Sequence, residues 1–230
     1  MKKVTSNLDI LADFAPFKGK VVIDVGCGTG ELVRGLASQG AKTIGLDAAH
    51  ILAKARRNPR LAAETYRPGR AEQLPFGDRF ADIITFFASL HHVPTPMMLQ
   101  SLREARRVLK PGGRVVCVEP VGKPGSYFEL IRLAADERDI QAAAYRAIQD
   151  AGAAGLTSER EYQVYFERSL QDFMALNDVF IQDANQRDRL NQRAHEITRT
   201  LSRDAEVRAE DFRYRSICRV NVLAPCRPLR

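Results

Sequence analysis

The sequence contains no tryptophan, four scattered cysteines and no apolar run of membrane-spanning length. No two cysteines have CxxC spacing, and no histidine lies near one at the spacing of a zinc site, which excludes a disulfide-stapled or zinc-stabilised small domain. The cysteines are Cys27, Cys117, Cys218 and Cys226. The N-terminal segment also lacks the apolar stretch of an export signal. We therefore expect no membrane span and a reducing, cytoplasmic location.

The charge balance is basic, with 35 Lys and Arg residues against 28 Asp and Glu residues and a formal net charge of +7 over 230 residues. Such a balance favours anionic partners, nucleic acid among them. Residues 1–120 hold 18 basic and 11 acidic residues, an excess of seven, whereas residues 121–230 hold 17 of each. Much of the excess falls on two predicted helix surfaces, 54–60 and 103–110, that we expect to face solvent. Nucleic acid is therefore not the expected partner.

The hydrophobic pattern of the first 120 residues alternates short apolar runs with amphipathic stretches, which is typical of a parallel sheet covered by helices. The strands predicted there are 21–25, 43–46, 63–66, 81–87 and 114–118. Further on, the pattern predicts a long helix from Phe128 to about Ala151, a strand over 161–166, helices over about 168–210 and a strand over 214–223. We predict one α/β domain over 1–230 with a helical elaboration.

The sharpest local feature is a glycine loop, Asp24-Val25-Gly26-Cys27-Gly28-Thr29-Gly30, between a predicted strand and a predicted helix. Glycines there let the backbone turn tightly and approach a ligand, and the helix N-terminus presents free N–H groups. The pattern is not the dinucleotide fingerprint, because Glu31 stands near the helix start where that fingerprint has its third glycine, and no Walker lysine follows. An uncharged or zwitterionic ligand therefore suits this loop better than a pyrophosphate.

Several further motifs follow the glycine loop in a fixed order. They are Gly45-Leu46-Asp47, Ala71-Glu72-Gln73-Leu74-Pro75-Phe76, Phe80-Ala81-Asp82, Leu90-His91-His92-Val93 and Leu109-Lys110-Pro111-Gly112-Gly113. In this ordered set, over residues 20–119 and about half of the chain, the sequence resembles the class I S-adenosylmethionine-dependent methyltransferases, in their UbiE-like branch. The resemblance implies S-adenosyl-L-methionine as the cofactor.

The resemblance also implies the fold in more detail. It implies a Rossmann-like, doubly wound, mostly parallel seven-stranded sheet with helices on both faces and an antiparallel last strand. Residues 1–120 would form the cofactor-binding half and residues 121–230 the substrate-side half, with the helical insertion between strands 6 and 7. The predicted helices of the insertion would roof the substrate site, and they could also serve as the face of a homodimer.

The resemblance implies cofactor contacts residue by residue. Asp47, followed by Ala48, ends the second predicted strand, where the family's acidic residue binds the ribose; a helix N-cap role for Asp47 is the alternative. Asp24 lies in an apolar run, where an unpaired charge would be costly, and the resemblance implies that it organises the loop and reaches the methionine ammonium. Backbone contacts are implied for Gly26, Cys27, Gly28 and Gly30. The side chain of Cys27 is expected to be a small buried group rather than a nucleophile.

The adenine end departs from the family pattern. Family members usually carry an aspartate before the Ala-Glu pair, whereas this chain has Arg70, which has no hydrogen-bond acceptor. Adenine recognition would then use the backbone of Ala71 or the carboxylate of Glu72. After the fourth predicted strand, Phe87, Ala88 and Ser89 occupy the segment whose backbone borders the methionine part of the cofactor in the family.

His91 and His92 are the candidate catalytic residues. A histidine titrates near neutral pH and could accept a proton from a hydroxyl or amine acceptor, and His92 is the stronger candidate. The alternative is that both histidines only end the strand and shape the cofactor site. Methyl transfer needs little covalent help, because alignment of the reactants supplies most of the effect. No carboxylate cluster for a magnesium site is visible in the sequence, and we expect no metal site.

The acceptor site is expected outside the carboxyl ends of the strands, beneath the predicted helical roof. Its candidate lining residues are Tyr127, Phe128, Tyr145, Phe173 and Met174. The alternative is that these side chains pack the extra helices. The leading function is methyl transfer to a small organic acceptor, with transfer to O, C or N left open. The other candidates are an RNA or protein methyltransferase and a non-catalytic S-adenosylmethionine-binding regulatory subunit.

Overall fold

The computed structural model describes residues 1–59, 62–122, 127–128, 132, 136–169, 206–208 and 211–226. Within these ranges, nine strands form a single sheet. The strands are β1 Lys2–Lys3, β2 Val21–Val25, β3 Lys42–Asp47, β4 Thr65–Pro68, β5 Ala81–Phe87, β6 Leu109–Pro120, β7 Leu156–Ser169, β8 Glu206–Arg208 and β9 Asp211–Pro225. The α-helices are α1 Asn7–Leu11, α2 Glu31–Ser38, α3 Ala49–Ala55, α4 Met98–Val108 and α5 Arg138–Gln149.

The order of strands across the sheet is β1-β7-β9-β6-β5-β2-β3-β4, and β8 pairs with β9 outside this row. Five neighbouring strands of this row are parallel to one another: β6, β5, β2, β3 and β4. β9 runs antiparallel to both of its neighbours, β6 and β7. This confirms the predicted mostly parallel, Rossmann-like sheet with an antiparallel last strand. The seven predicted strands correspond to β2–β7 and β9, and the sequence pattern did not predict β1 or β8.

Both faces of the sheet are covered, which is why the central strands read as unbroken apolar runs. On one face, Ile23 and Ile84 pack with Leu102 of α4 and with residues of α5. On the other face, Val22 and Ile83 pack with residues of α1 and α2. The alternation along each strand therefore places successive apolar side chains in two separate cores. No helix in the described ranges is long and apolar enough to cross a membrane.

The predicted long helix from Phe128 to about Ala151 is interrupted: Tyr127, Phe128 and Arg132 are helical, whereas Asp136 and Glu137 are not. Its regular part is α5, which starts at Arg138, and Glu137 before it has a non-helical backbone. Arg138 donates from its backbone N–H to Asp136 Oδ1 at 3.3 Å and pairs with the same carboxylate through its guanidinium. Such local bonds between an aspartate and the following backbone compete with helix formation, which accounts for the break.

The helical insertion predicted over about 168–210 lies mostly outside the described residues. Where its margins are described they are strand instead of helix, because Arg168 and Ser169 end β7 and Glu206–Arg208 form β8. These margins correct the predicted bounds. Each is held by antiparallel pairing with β9, so the sheet continues past the point where the sequence pattern predicts helix.

One of the basic surfaces expected to be solvated is partly structural. Arg107 of α4 pairs with Glu104 and Asp78, and it also donates to the carbonyls of Leu74 and Phe76. These bonds raise the pKa of the guanidinium further above its usual value. Arg107 therefore fastens the segment around residues 74–78 to α4. That segment directly follows the predicted adenine contacts.

Candidate functional site

A cavity of about 920 Å³ opens at the carboxyl ends of β2, β3 and β5. This is the edge where ligands bind in open α/β sheets. Every predicted cofactor contact except Gly30 lines it: Asp24, Gly26, Cys27, Gly28, Asp47, Ala48, Ala71, Glu72, Phe87 and Ala88. Asn7 of α1 lines it as well, although no sequence motif predicts this contact. The structure therefore brings together predicted contacts from Asp24 to Ala88.

The glycine loop needs its glycines for close packing as well as for its turn. Gly26 has φ +76, and a Cβ built on it would lie 2.4 Å from Cβ of Ser89. Ser89 in turn donates from Oγ to the carbonyl of Val25 at 2.6 Å. Gly30 lies at the N-terminus of α2 rather than at the cavity surface, with φ +77 and Tyr66 against it. No larger residue fits either position without a shift.

Asp47 connects β3 to the glycine loop. Its Oδ2 accepts a hydrogen bond from the Gly28 N–H at 2.9 Å, and its Oδ1 accepts one from the Ala48 N–H at 2.7 Å. The N-cap of α3 is Ala48, and no side chain caps that helix. The alternative role of Asp47 as an N-cap therefore does not describe this geometry. Its carboxylate instead lies at the cavity wall and is half-buried.

Asp24 is a buried acid beneath the cavity. Its carboxylate is 4% exposed and accepts a hydrogen bond from Thr85 Oγ1 at 2.7 Å. Burial raises the pKa of Asp24 to about 7, against the lowering effect of the Thr85 hydrogen bond, and the negative charge of Asp47 adds to the rise. The cavity floor therefore holds an acid that changes protonation near neutral pH.

Cys27 is held in the loop as a small buried side chain. Its sulfur lies so close to Gly45 that a Cβ there would be 2.7 Å from Sγ. Burial raises the pKa of the Cys27 thiol far above its usual value, and the charges of Asp24 and Asp47 act in the same direction. A thiol that stays protonated is a poor nucleophile, so the environment agrees with the packing role predicted from sequence.

At the predicted adenine end, the side chains of Arg70 and Glu72 differ in exposure. The side chain of Arg70 is 83% exposed, whereas that of Glu72 is 15% exposed, and their nearest charged atoms are 3.6 Å apart. Residues 69–72 nevertheless all border the cavity. The departure from the family pattern at Arg70 therefore leaves an acceptor at this wall, because the Glu72 carboxylate is turned inward.

The segment after β5 is strained at the cavity. Ala88 has φ +48, a value that non-glycine residues rarely adopt, and its N–H donates to the carbonyl of Val118 at 2.7 Å. Strain of this kind persists only where surrounding bonds hold it, and it is concentrated at functional sites. Here the bonds from Ala88 to β6 and from Ser89 to β2 hold the backbone of Phe87–Ser89 against the cavity.

The two histidines have different environments. His92 lines the cavity, whereas His91 is 3% exposed and lies behind the wall. His91 Nδ1 hydrogen-bonds the buried carboxylate of Glu119, whose other oxygen accepts from the Leu90 N–H at 3.0 Å. The imidazole rings of His91 and His92 lie 4.1 Å apart, centroid to centroid. Only His92 is therefore in position to contact a ligand in the cavity.

The pKa values of the histidines move in opposite directions. Burial alone would lower the pKa of His91, but the hydrogen bond and charge of Glu119, with the more distant Glu137, raise it above its usual value. Burial and the neighbouring His91 lower the pKa of His92. His92 therefore keeps a free imidazole lone pair near neutral pH, which a proton acceptor needs.

The described part of the predicted acceptor pocket does not form one site. Phe128 packs on the face of the sheet that carries Val116 and Val118. Tyr145 belongs to α5, whose apolar residues pack on the opposite face, and its hydroxyl donates to Glu161 at 3.1 Å. Tyr127 is buried and packs edge-on against Phe128. Phe173 and Met174 lie outside the described residues.

The sequence does not predict the side-chain roles of two polar residues that build the site, although Ser89 lies in the segment predicted to border the cofactor. Ser89 locks the glycine loop to β5, and Glu119 holds His91 and the Leu90 backbone. The sequence contains a signal that Glu119 is buried, because Glu119 ends an apolar strand run. Asp24 interrupts a run of the same kind. An acid in such a run must find a buried partner. The sequence does not predict that His91 is this partner, because His91 follows β5 whereas Glu119 lies at the end of β6.

Comparison with known proteins identifies the domain. The sequence profile of a family described as a methyltransferase domain matches residues 23–117. An uncharacterized methyltransferase of Synechocystis is 40% identical over 111 residues, which is 47% of this chain and 51% of that protein. A demethylmenaquinone methyltransferase of Symbiobacterium thermophilum is 38% identical over 119 residues, 48% of this chain and 46% of that protein. A ubiquinone biosynthesis O-methyltransferase of Alkalilimnicola ehrlichii is 35% identical over 131 residues, 54% and 52%.

The fold is shared with solved structures over almost the whole chain. The YcgJ protein of Bacillus subtilis superposes with a TM-score of 0.64 at 17% identity, covering 96% of this chain and 98% of that one. Residues 23–117 thus match a methyltransferase domain, and the named relatives over this part of the chain are quinone-pathway methyltransferases, which agrees with the resemblance that the motifs predict. The chain spans about half the length of the curated relatives it matches.

Proposed function

We propose that the protein is an S-adenosylmethionine-dependent methyltransferase that acts on a small organic acceptor. The observation that carries this proposal is the arrangement of Asp47, the glycine loop and Glu72 around one cavity of about 920 Å³. The cavity is lined by two carboxylates that can accept hydrogen bonds from a nucleoside, Asp47 and Glu72, and by the backbone of the glycine loop. A Cβ at Gly26 would also collide with the cavity wall, so the loop is built for close approach.

The residues present fit the cofactor from end to end. Asp47 would accept hydrogen bonds from the ribose hydroxyls, and Glu72 would accept one from the adenine amino group. Asp24, lying beneath the loop, would balance the methionine ammonium in its ionised form. Because that ammonium is positive, it would favour ionisation of Asp24 and so counter the effect of burial on its pKa.

When bound, S-adenosylmethionine supplies a sulfonium methyl group, to which the acceptor's lone pair bonds while the carbon–sulfur bond breaks and leaves its electron pair on sulfur. The chain's contribution is mainly positioning. Phe87–Ser89 hold the cavity wall rigid through bonds to β2 and β6. His92 would accept the proton of a hydroxyl or amine acceptor, since it lines the cavity and its pKa is lowered.

The acceptor is proposed to be a small aromatic precursor of the quinone type. The support is that two of the relatives are a demethylmenaquinone methyltransferase and a ubiquinone biosynthesis O-methyltransferase. Incubation with methyl-labelled S-adenosylmethionine and a panel of phenols, dihydroquinones, amines and RNA would test this. Label in a phenol or dihydroquinone is expected; label only in RNA, or in no acceptor, would contradict the proposal. We also propose that the protein is cytoplasmic. The described part of the chain offers no support for the expected homodimer.

Asp47→Ala is expected to weaken S-adenosylhomocysteine binding about 10- to 100-fold. The physical reason is the loss of charge-assisted hydrogen bonds to the ribose, each worth about 1.5–3 kcal/mol. Isothermal titration calorimetry at pH 7.5 measures the change. Asp150→Ala is the matched control, because Asp150 is an exposed aspartate at the end of α5, and it should bind as the wild type does. Equal affinity of Asp47→Ala and wild type would remove the ribose assignment.

Glu72→Ala is expected to lower the affinity for the same ligand about tenfold, whereas Arg70→Ala should change it little. The Glu72 carboxylate faces the cavity, and the Arg70 guanidinium is mostly in solvent. A single hydrogen bond to a charged group is worth about 1.5 kcal/mol or more, which is about tenfold. The same titration measures both variants. A larger loss in Arg70→Ala than in Glu72→Ala would show that the arginine recognises adenine instead.

A further inference from the structure

His91, His92 and Glu137 form a cluster of metal-ligand type at the cavity wall. Each offers one ligand atom, and the three atoms lie within 4.8 Å of one another. His91 Nε2 lies 3.7 Å from Glu137 Oε2. Two ligands bonded to one zinc-sized ion at about 2.0–2.1 Å in a tetrahedron are about 3.4 Å apart. The ligand atoms of the cluster are therefore at most about 1.4 Å further apart than the ligands of a metal-bound site. Small side-chain rotations cover such a distance.

The environment of His91 has the form that metal sites require. Its Nδ1 is engaged by the buried Glu119, which leaves Nε2 as the ring atom directed at Glu137. A ligating histidine in known metal sites usually donates its other ring N–H to a carboxylate, which fixes the ring and makes the free nitrogen a better donor. Glu119 is itself fixed by the Leu90 N–H. The wall thus contains both the ligand and its supporting carboxylate.

Glu137 is supplied by a different part of the chain. It precedes the first turn of α5, whose irregular start places the carboxylate beside the end of the Leu90–His92 turn. Gln141 Nε2 donates to Glu137 Oε2 at 3.2 Å and so orients the carboxylate. The acids whose charges act on His91 are Glu119 and Glu137, and His92 is affected by these two, by Asp47 and by His91.

We propose that His91, His92 and Glu137 bind one divalent transition-metal ion of the Zn²⁺ type at the wall of the cavity. Two imidazole nitrogens and one carboxylate are a common set for a catalytic ion and leave at least one position open. Imidazole donors disfavour Mg²⁺ and Ca²⁺, which take oxygen ligands. Because His92 also lines the cavity, a bound ion would replace its role as proton acceptor, since an imidazole nitrogen that donates to a metal has no lone pair left for a proton; this consequence rests on the proposed function. The proposal replaces the expectation of no metal site.

Cobalt binding tests the site directly. Co²⁺ added to metal-free protein at pH 7.5 is expected to bind with a stoichiometry of one and to give visible absorption bands of a nitrogen- and oxygen-ligated ion, and Zn²⁺ should abolish them by displacement. His92→Asn and Glu137→Gln should each weaken Co²⁺ binding by about 10- to 100-fold or more. The absence of bands at millimolar Co²⁺, or equal affinity in these variants, would overturn the proposal.

Two controls keep the experiment decisive. His50→Ala removes an exposed histidine on α3, outside the cluster, and should leave the Co²⁺ titration unchanged. Glu137→Gln is preferred to His91→Ala, because Glu137 is only half-buried and its replacement leaves no buried charge unpaired. Thermal unfolding without metal should be the same in Glu137→Gln and wild type; a folded variant with unchanged Co²⁺ affinity would count against Glu137 as a ligand.

The site and the proposed function fail separately. S-adenosylhomocysteine titration of Glu137→Gln reports on the cofactor site, and Co²⁺ titration of Asp47→Ala reports on the metal site. Retained Co²⁺ bands in a protein that transfers no methyl group would refute the proposed function alone. Normal methyl transfer by a protein whose Co²⁺ bands do not depend on His92 or Glu137 would refute the metal site alone.

Discussion

Asp24→Asn is expected to remove a component of about 4 kcal/mol from the pH dependence of the free energy of unfolding. Asp24 has a pKa of about 7 in the folded protein against 3.8 as the usual value. A raised acid pKa contributes stability that is fully present below pH 3.8 and is lost as the pH rises through about 7. At about 1.4 kcal/mol for each pH unit, the loss over this window is about 4 kcal/mol.

Urea denaturation of wild type and Asp24→Asn at each pH from 4 to 8 measures this effect. The difference between the two proteins is the quantity of interest, because other carboxylates such as Asp82 have lowered pKa values and change stability in the opposite direction. Asparagine keeps an oxygen to accept the Thr85 hydrogen bond, so the variant should fold. The variant should gain on the wild type with rising pH up to about 7 and then hold its advantage. Parallel profiles would mean that Asp24 is ionised throughout.

Glu119→Ala is expected to lower the free energy of unfolding by about 3–5 kcal/mol at pH 6. The substitution leaves the His91 ring and the Leu90 N–H without their partner, and both His91 and Glu119 are almost fully buried. Breaking a buried pair from one side has this order of cost because the remaining group loses its compensation. Denaturant unfolding monitored by circular dichroism measures it.

The matched control and the pH dependence make the second result specific. Glu159→Ala removes a carboxylate paired with Arg114 near the surface, and it should cost at most about 1 kcal/mol. Because the pKa of His91 is raised above 6.5, its contribution is fully present below pH 6.5 and fades as the pH rises through the folded value. The effect of Glu119→Ala should therefore be larger at pH 6 than at pH 9. Costs of similar size for both variants would contradict a specific buried pair.

The sequence was sufficient to predict the sheet and most of the residues that line the cavity, because their signals are local. The runs Val21–Val25 and Ala81–Phe87 are buried on both faces, so they needed no knowledge of partners to be recognised as strands. The residue types and spacing of the glycine loop and Asp47 are sufficient to predict the turn after β2 and the acid at the end of β3. Their meeting at one edge then follows from parallel strands, whose carboxyl ends coincide.

The rest of the site depends on contacts between distant segments. Glu137 reaches the histidines only because Asp136 interrupts the predicted helix before α5, and no periodicity shows where such a helix turns. Their aromatic side chains predict that Phe128 and Tyr145 line one pocket. The two residues instead lie on opposite faces of the sheet. Face assignment requires the path of the chain between the elements, which composition does not contain.

The position of β9 between β6 and β7 has a consequence for biosynthesis. The ribosome synthesises β9 after all the other strands of this sheet. Strands β2–β6 can therefore pair in the nascent chain, whereas β7 can pair only with the short β1. Until β9 emerges, one edge of β6 and one edge of β7 expose unpaired backbone groups, which are templates for misassembly. We expect chains arrested before residue 211 to need chaperone protection, although their methyltransferase motifs are already complete.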